Sequence, residues 1–138
     1  MLTATRYHDI SAGHRVYQHD SKCKHLHGHN YRIHFTLEAD ESENMVLDFG
    51  IIKKLFCEWL EEYWDHKFLI YELDPWGERL RFLDPNGLVE VPFNPTAENM
   101  AKYLLQEIAP MLLTNCPGVR MKRIVVDETR KCSAAFEV

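Results

Sequence analysis

The sequence predicts an α+β fold in which an antiparallel four-stranded sheet packs against two helices on one face. Residues 30–39 alternate apolar and polar side chains with the period of a half-buried strand. Residues 50–64, and a second segment that begins at Thr96, repeat their apolar side chains at helical spacing. Strand-like segments outnumber helical ones and short links join them, which favours antiparallel pairing with the helices on one side.

The first half of the chain is predicted to contain three strands and one helix. Residues 2–10 form the first strand, and residues 30–39 form the second. The inward face of the second strand carries Tyr31, Ile33, Phe35, Leu37 and Ala39. Residues 45–47 begin a third apolar strand, which ends at Asp48. Asp48 is also the expected N-cap of the first helix.

The second half is predicted to contain a hairpin, a helix and two strands. Four prolines and two glycines mark residues 72–95, and within them RLRFL and LVEV flank the turn sequence DPNG. A β-hairpin is therefore expected at about 79–91. Thr96 should cap the next helix, with Glu98 in its first turn, and Pro110 should end or bend it. Residues 119–127 and 132–138 are the last two strands.

Composition and charge narrow the class of protein. The chain has 138 residues, 46% of them hydrophobic and 27% charged, which predicts one globular domain over residues 1–138. No stretch approaches the ~20 apolar residues of a membrane-spanning helix, and no signal peptide is visible, so a cytoplasmic protein without a membrane partner is expected. The net charge of −5 argues against a nucleic-acid partner. Four cysteines without a C-x-x-C pair do not suggest a disulfide framework or a four-cysteine zinc site.

Histidine is concentrated near the N-terminus, where seven of the eight lie within the first 34 residues. His27 and His29 are separated by one residue, so in an extended segment both imidazoles point to the same side. His14 lies far enough before them to return on a neighbouring strand. Three neutral imidazoles with an open fourth position describe a catalytic zinc site, whereas a structural site normally has a fourth protein ligand. On spacing alone, histidines that bind no metal are an equal alternative.

Two other features could transfer protons. Cys23 lies between Lys22 and Lys24, four residues before His27, and could be a nucleophile, a base, a zinc ligand or an ordinary exposed thiol. Asp65 and His66 follow the first helix, and an aspartate can orient an imidazole for general acid–base work. The alternative for His66 is complementation of the charge at the helix end.

Six short motifs occur together and in order: His14 with the run HGHNY at 27–31, Cys23 in CKHLHGHNY, MVLDF at 45–49, DHKFL at 65–69, PTAEN at 95–99 and DET at 127–129. Over essentially the whole chain they resemble the 6-pyruvoyltetrahydropterin synthase family, also called the tunnelling-fold pterin synthases. The exception is about residues 72–93, where the family usually has a shorter link. The short gap between Cys23 and His27 is similar to that of the bacterial branch, which forms 6-carboxy-5,6,7,8-tetrahydropterin for queuosine and 7-deazapurine biosynthesis.

The resemblance implies a role for each matching residue. His14, His27 and His29 correspond to the zinc ligands of the family. Cys23 corresponds to its catalytic cysteine, and Asp65 with His66 to the pair that completes the proton relay. Glu128 corresponds to the carboxylate that anchors the pterin ring, and Thr96 and Glu98 correspond to residues of the pterin pocket. The implied reaction converts 7,8-dihydroneopterin triphosphate to 6-carboxytetrahydropterin and releases acetaldehyde and triphosphate.

Two alternative functions stay open at this point. A 6-pyruvoyl-forming synthase or a related pterin aldolase would use the same scaffold, and a zinc- or pterin-binding module would use it without catalysis. Arg15, Lys22 and Lys24 are candidates for steering the triphosphate, although solvated surface charge is the default interpretation. The resemblance also implies a homo-oligomer, a hexamer built as a dimer of trimers, which agrees with a sheet that has edges to pair.

Overall fold

The computed structural model describes all residues, 1–138. Six strands and three helices follow one another along the chain. In order they are β1 (Leu2–His14), β2 (His27–Ala39), α1 (residues 49–63), β3 (Phe68–Tyr71), α2 (Gly77–Leu83), β4 (Leu88–Val91), α3 (residues 97–112), β5 (Arg120–Asp127) and β6 (Ser133–Glu137). A single 3-10 turn, Lys22–Lys24, lies between β1 and β2. Residues 45–47 form no strand, so that prediction is wrong.

The sheet is mixed and has the strand order β4-β3-β1-β2-β5-β6. β1 and β2 pair antiparallel over their whole length, from Leu2↔Ala39 to His14↔His27. β5 and β6 continue the antiparallel part, whereas β3 and β4 run parallel on the other side of β1. The α+β class is confirmed, but the prediction of a purely antiparallel four-stranded sheet missed the two parallel strands.

The helices begin at the expected caps. The Asp48 side chain accepts the Gly50 N–H at 2.7 Å, and the Thr96 hydroxyl oxygen accepts the Asn99 N–H at 3.1 Å. α1 and α3 each contain one wider π-helical turn, Lys53–Cys57 and Leu104–Ile108. α3 continues past Pro110 for a few residues before it ends. No helix combines the length and the apolar composition needed to cross a membrane.

The core lies between one face of the sheet and the helices α1 and α3. Every inward-facing side chain of β2 from Tyr31 to Ala39 is at most 1% exposed. These side chains join one cluster with the apolar stripes of the two helices: Ile52, Phe56 and Leu60 from α1, and Met100, Leu104 and Ile108 from α3. Each fully buried side chain of this kind contributes about 1.5–3 kcal/mol. The alternation in β2 and the helical spacing therefore describe the same buried interface from its two sides.

Residues 79–91 do not form the predicted hairpin. RLRFL lies in helix α2, and LVEV forms β4, which pairs parallel with β3 in the register Phe68↔Leu88. Parallel neighbours need a crossover connection, and α2 provides it. The DPNG sequence was misleading because it joins helix α2 to strand β4 rather than two strands. The apolar side chains before it do not face the core, since Phe82 is 87% exposed and Leu83 is 75% exposed.

Candidate active site

Four side chains converge at one end of the β1–β2 pair. His14 ends β1, His27 and His29 lie at the start of β2, and Glu128 follows β5 directly. The register pairs His14 with His27, and alternation places His29 on the same inward face. One nitrogen or oxygen atom of each residue lies within 4.8 Å of the corresponding atoms of the other three. The three predicted metal ligands are therefore brought together, and Glu128 lies beside them.

Backbone carbonyl groups orient two of the imidazoles. His14 Nδ1 lies 2.7 Å from the Pro95 oxygen, and His27 Nδ1 lies 2.7 Å from the His25 oxygen. Because a carbonyl only accepts hydrogen bonds, each Nδ1 must carry the proton. In the neutral ring the lone pair is then on Nε2, which is the arrangement that metal-binding histidines usually have.

The atoms that point into the cluster lack ordinary partners. His14 Nε2 and His29 Nε2 are buried without a hydrogen bond. Glu128 Oε1 lies 2.8 Å from His29 Nε2 without the alignment of a hydrogen bond, and at 3.9 Å it lies too far from His14 Nε2 to form one. Buried polar atoms rarely lack partners. Nitrogen lone pairs that converge beside a carboxylate oxygen fit a divalent metal ion.

The protonation states agree with such a site. Burial lowers the pKa of His14, although the hydrogen bond to Pro95 opposes this effect. Burial also lowers the pKa of His29, against the attraction of the Glu128 carboxylate. Both imidazoles are consequently neutral at pH 7, which is the form that can bind a metal.

Tyr31 is a site residue for which the sequence predicted only a place in the core. Its ring packs edge-on against those of His14 and His29, with centroids 5.8 and 5.4 Å away. Its hydroxyl is buried without a hydrogen-bond partner. Burial, helped by the charges of Glu128 and Cys23, raises the pKa of Tyr31, so the hydroxyl stays protonated and can donate. The available signal was its position two residues after His29 on the same face of β2.

Cys23 lies in the 3-10 turn between β1 and β2 and is partly buried. Its backbone oxygen accepts the Val16 N–H at 2.9 Å. Cys23 does not belong to the group of four side chains that could hold a metal.

Asp65 and His66 contact each other and do not belong to the group of four side chains that could hold a metal. Their side chains are 3.0 Å apart, and Asp65 Oδ1 accepts the Ser11 N–H at 2.9 Å. Burial opposes ionisation of Asp65, but the hydrogen bonds from Ser11 and His66 prevail and lower its pKa. The His66 side chain is 80% exposed, and its backbone has the left-handed φ of 59°. The pair lines a depression on the outer face of the sheet with Ser11 and Asn30.

The remaining sequence candidates lie around the site without joining it. The Thr96 hydroxyl oxygen caps α3, and Glu98 is exposed. The neighbouring Pro95, which had no predicted role, contacts His14 through its carbonyl group. Arg15 is neither a solvated surface charge nor free for a triphosphate, because it is buried and paired with Asp74. Lys22 and Lys24 are exposed, which fits the default interpretation of solvated surface charge.

Comparison with known proteins agrees with the geometry. The family model described as 6-pyruvoyl tetrahydropterin synthase matches residues 3–138. A Rickettsia typhi protein named 6-carboxy-5,6,7,8-tetrahydropterin synthase is 37% identical over 135 residues, which cover 96% of this chain and 97% of that protein. A Rickettsia conorii protein of the same name is 36% identical over 118 residues, or 83% of this chain and 86% of that one.

Solved structures share the fold. An uncharacterized protein from Wolinella succinogenes superimposes with a TM-score of 0.81 at 24% identity, covering 99% of this chain and 97% of that one. The 6-pyruvoyl tetrahydropterin synthase of Caenorhabditis elegans gives a TM-score of 0.69 at 23% identity, covering 99% and 95%. At these identities the likeness concerns the fold alone.

Proposed function

The chain belongs to the 6-pyruvoyl tetrahydropterin synthase family, and from this premise we propose that it is a zinc-dependent lyase, a 6-carboxy-5,6,7,8-tetrahydropterin synthase. Its substrates are 7,8-dihydroneopterin triphosphate and one water molecule, and its other products are acetaldehyde and triphosphate. The observation that carries the proposal is the convergence of three histidines, two of which, His14 and His29, have a buried Nε2 without a hydrogen bond. The names of the Rickettsia relatives and the short spacing from Cys23 to His27 support the carboxy product.

The proposed metal ligands are His14, His27 and His29. The carbonyl groups of Pro95 and His25 keep two of these rings turned toward the cluster. Zinc bound there supplies a Lewis acid that can polarise a hydroxyl oxygen of the substrate.

The other residues bind the ring and move protons. The Glu128 carboxylate can accept two N–H groups from the edge of the pterin ring, which would fix the ring bidentately. Thr96 and Glu98 are proposed to line the ring pocket. Cys23 and the Asp65–His66 pair transfer protons at the side-chain carbons of the substrate. The Ser11 N–H holds Asp65 in place, and Asp65 in turn orients the His66 imidazole through its Nδ1 atom.

We further propose that the active protein is a homo-oligomer in the cytoplasm, a dimer of trimers in which residues 1–138 form one pterin synthase domain. The Asp65–His66 pair lies on the outer face, whereas the histidine cluster lies on the inner face. An Asp65–His66 pair from one subunit would complete the site around the histidine cluster of another subunit. Mixing inactive Cys23→Ala and His66→Ala proteins should then restore part of the activity, and light scattering should give a hexamer. A monomer that is fully active would refute the assembly.

Product identity tests the function directly. Purified protein, with one equivalent of zinc per chain, is incubated with 7,8-dihydroneopterin triphosphate, and the product is weighed by mass spectrometry. We expect the mass of 6-carboxytetrahydropterin, with no turnover after chelation or in His27→Ala. The mass of the 6-pyruvoyl or the aldolase product would establish the alternative enzymes. Tight pterin binding without any product would establish a binding module.

Cys23→Ala separates catalysis from metal binding. General acid–base groups contribute ~10²–10⁴-fold, so turnover should fall at least that far while zinc stays bound. Loss of zinc together with activity would make Cys23 a ligand. Near-normal turnover with zinc retained would remove Cys23 from the mechanism.

A further inference from the structure

A buried ion pair begins at the residue that directly follows His14, the last residue of β1. Arg15 follows His14 in the chain; its side chain is 7% exposed, and that of Asp74 is fully buried. Arg15 Nη2 donates to Asp74 Oδ1 at 2.8 Å, and Arg15 Nε donates to Asp74 Oδ2 at 2.5 Å. Asp74 Oδ1 also accepts the Trp76 N–H at 3.0 Å, and the guanidinium lies 3.5 Å from the centre of the Trp76 ring.

The same guanidinium reaches the turn that carries Cys23. Arg15 Nη1 donates to the Lys24 carbonyl oxygen at 3.0 Å. One residue earlier, the Cys23 carbonyl oxygen accepts the Val16 N–H at 2.9 Å. The two residues directly after β1 therefore hold two consecutive carbonyl groups of the turn. The Val16 N–H binds that of Cys23, and the Arg15 side chain binds that of Lys24.

The bond to Lys24 depends on Asp74. A guanidinium is buried at an acceptable free energy only where a carboxylate pairs with it and further hydrogen bonds satisfy it. Asp74 supplies that carboxylate from the link between β3 and α2. Without Asp74 the Arg15 side chain would move toward solvent and leave the Lys24 carbonyl group. Lysine could not replace Arg15, because one ammonium group lacks the planar fork that serves both acceptors.

We propose that Arg15 and Asp74 are positioning residues that fix the Cys23 turn against the histidine cluster. This inference rests on the proposed function only where it concerns turnover, since the placement of the turn can be measured without substrate. The long link between β3 and β4 thereby acquires a role in the site. The guanidinium fork is used within the protein rather than on substrate phosphates.

The test uses full-length Asp74→Asn and Arg15→Lys proteins loaded with zinc. Alkylation of Cys23 is timed against that of the exposed Cys132 in the same sample, and kcat, KM and zinc content are measured. We expect the Cys23 rate to rise about tenfold relative to Cys132. We also expect kcat to fall about 10- to 100-fold, because a misplacement of about 1 Å has that effect. The KM and the zinc content should stay near those of the wild type.

A matched control loosens the same segment elsewhere. Arg81 and Glu90 form an exposed ion pair between α2 and β4, with no hydrogen bond to the Cys23 turn. Glu90→Gln should leave the alkylation ratio and kcat unchanged. If Glu90→Gln reproduces the effects of Asp74→Asn, general loosening of the segment explains them and the inference is wrong.

A double variant, Arg15→Met with Asp74→Leu, removes both charges together and keeps the test usable if Asp74→Asn does not fold. It should also show faster Cys23 alkylation and a lower kcat. Unchanged alkylation and kcat in this folded variant would overturn the inference. Faster alkylation with unchanged kcat would retain the placement of the turn but exclude Cys23 from catalysis, which is a failure of the proposed function instead.

Discussion

Replacing Tyr31 with phenylalanine should make the metal-free protein more stable and the enzyme less active. The Tyr31 side chain is 1% exposed, and its hydroxyl has no hydrogen-bond partner. The substitution removes only that oxygen. The ring keeps its edge-on contacts with His14 and His29 and its place in the core.

The size of the effect follows from the unsatisfied hydroxyl. Burying such a group without a partner costs about 1–3 kcal/mol. Because no packing is lost, Tyr31→Phe should raise the free energy of unfolding by about 1–2 kcal/mol. For a chain of this length, that is a rise in Tm of about 3–7 °C. Turnover should fall about two- to tenfold, the usual contribution of one neutral hydrogen bond, if the hydroxyl donates to the bound substrate.

The assay is urea unfolding of the chelated protein, monitored by tryptophan fluorescence, beside turnover of the zinc-loaded protein. Tyr103→Phe is the control, because Tyr103 packs against Trp64 and Phe93 and its hydroxyl is not buried without a partner. It should change the free energy of unfolding by less than about 0.5 kcal/mol. A Tyr31→Phe protein that is less stable by about 1 kcal/mol would refute the reasoning, because the hydroxyl would then have a partner such as an internal water.

Three other perturbations test the site. Acid should destabilise the chelated protein, because burial lowers the pKa of His14 and His29 below the ordinary 6.5. Below that pH the unfolded chain binds more protons than the folded protein, so the free energy of unfolding falls as the pH drops through about 6.5. Equal free energies of unfolding from urea titrations at pH 7.5 and pH 5.5 would contradict this. Gly28→Ala would place a Cβ 2.8 Å from the Ala12 carbonyl oxygen, so β1 and β2 must separate between the clustered histidines. We expect a loss of about 1–3 kcal/mol in urea unfolding and weaker zinc binding in calorimetry, and unchanged zinc affinity would show that the strands adjust. Glu128→Gln should weaken pterin binding, measured by fluorescence titration, at unchanged zinc content, whereas loss of zinc would make Glu128 a ligand.

Local sequence was sufficient where neighbours along the chain set the structure. The alternation from Tyr31 to Ala39 predicted the buried face of β2, because successive side chains of a strand point to opposite sides. Asp48 and Thr96 were identified as caps because a capping side chain bonds to an N–H only two or three residues away. The same local rule placed His27 and His29 on one face.

Short segments without a buried face were not decided locally. RLRFL was predicted to be a strand because it precedes the turn sequence DPNG, but it forms a helix in which Phe82 and Leu83 are exposed. FLIY, which is β3, gave no signal of its own because its partners, β1 and β4, are distant in sequence or come later in the chain. Parallel pairing depends on where a crossover returns the chain, which no short window contains.

The sequence by itself determined which chemical groups the site contains, while the tertiary structure decided how they are grouped. Three histidines, a cysteine and an Asp–His pair are visible as motifs, because their chemistry belongs to the residue types. Only the fold shows that Asp65 and His66 lie on the opposite face of the sheet from the histidines. Only the fold turns Arg15 from an apparent surface charge into a buried one, through a carboxylate 59 residues away. Burial and charge pairing arise from contacts between distant segments, so the environment of a side chain is decided only when the chain folds.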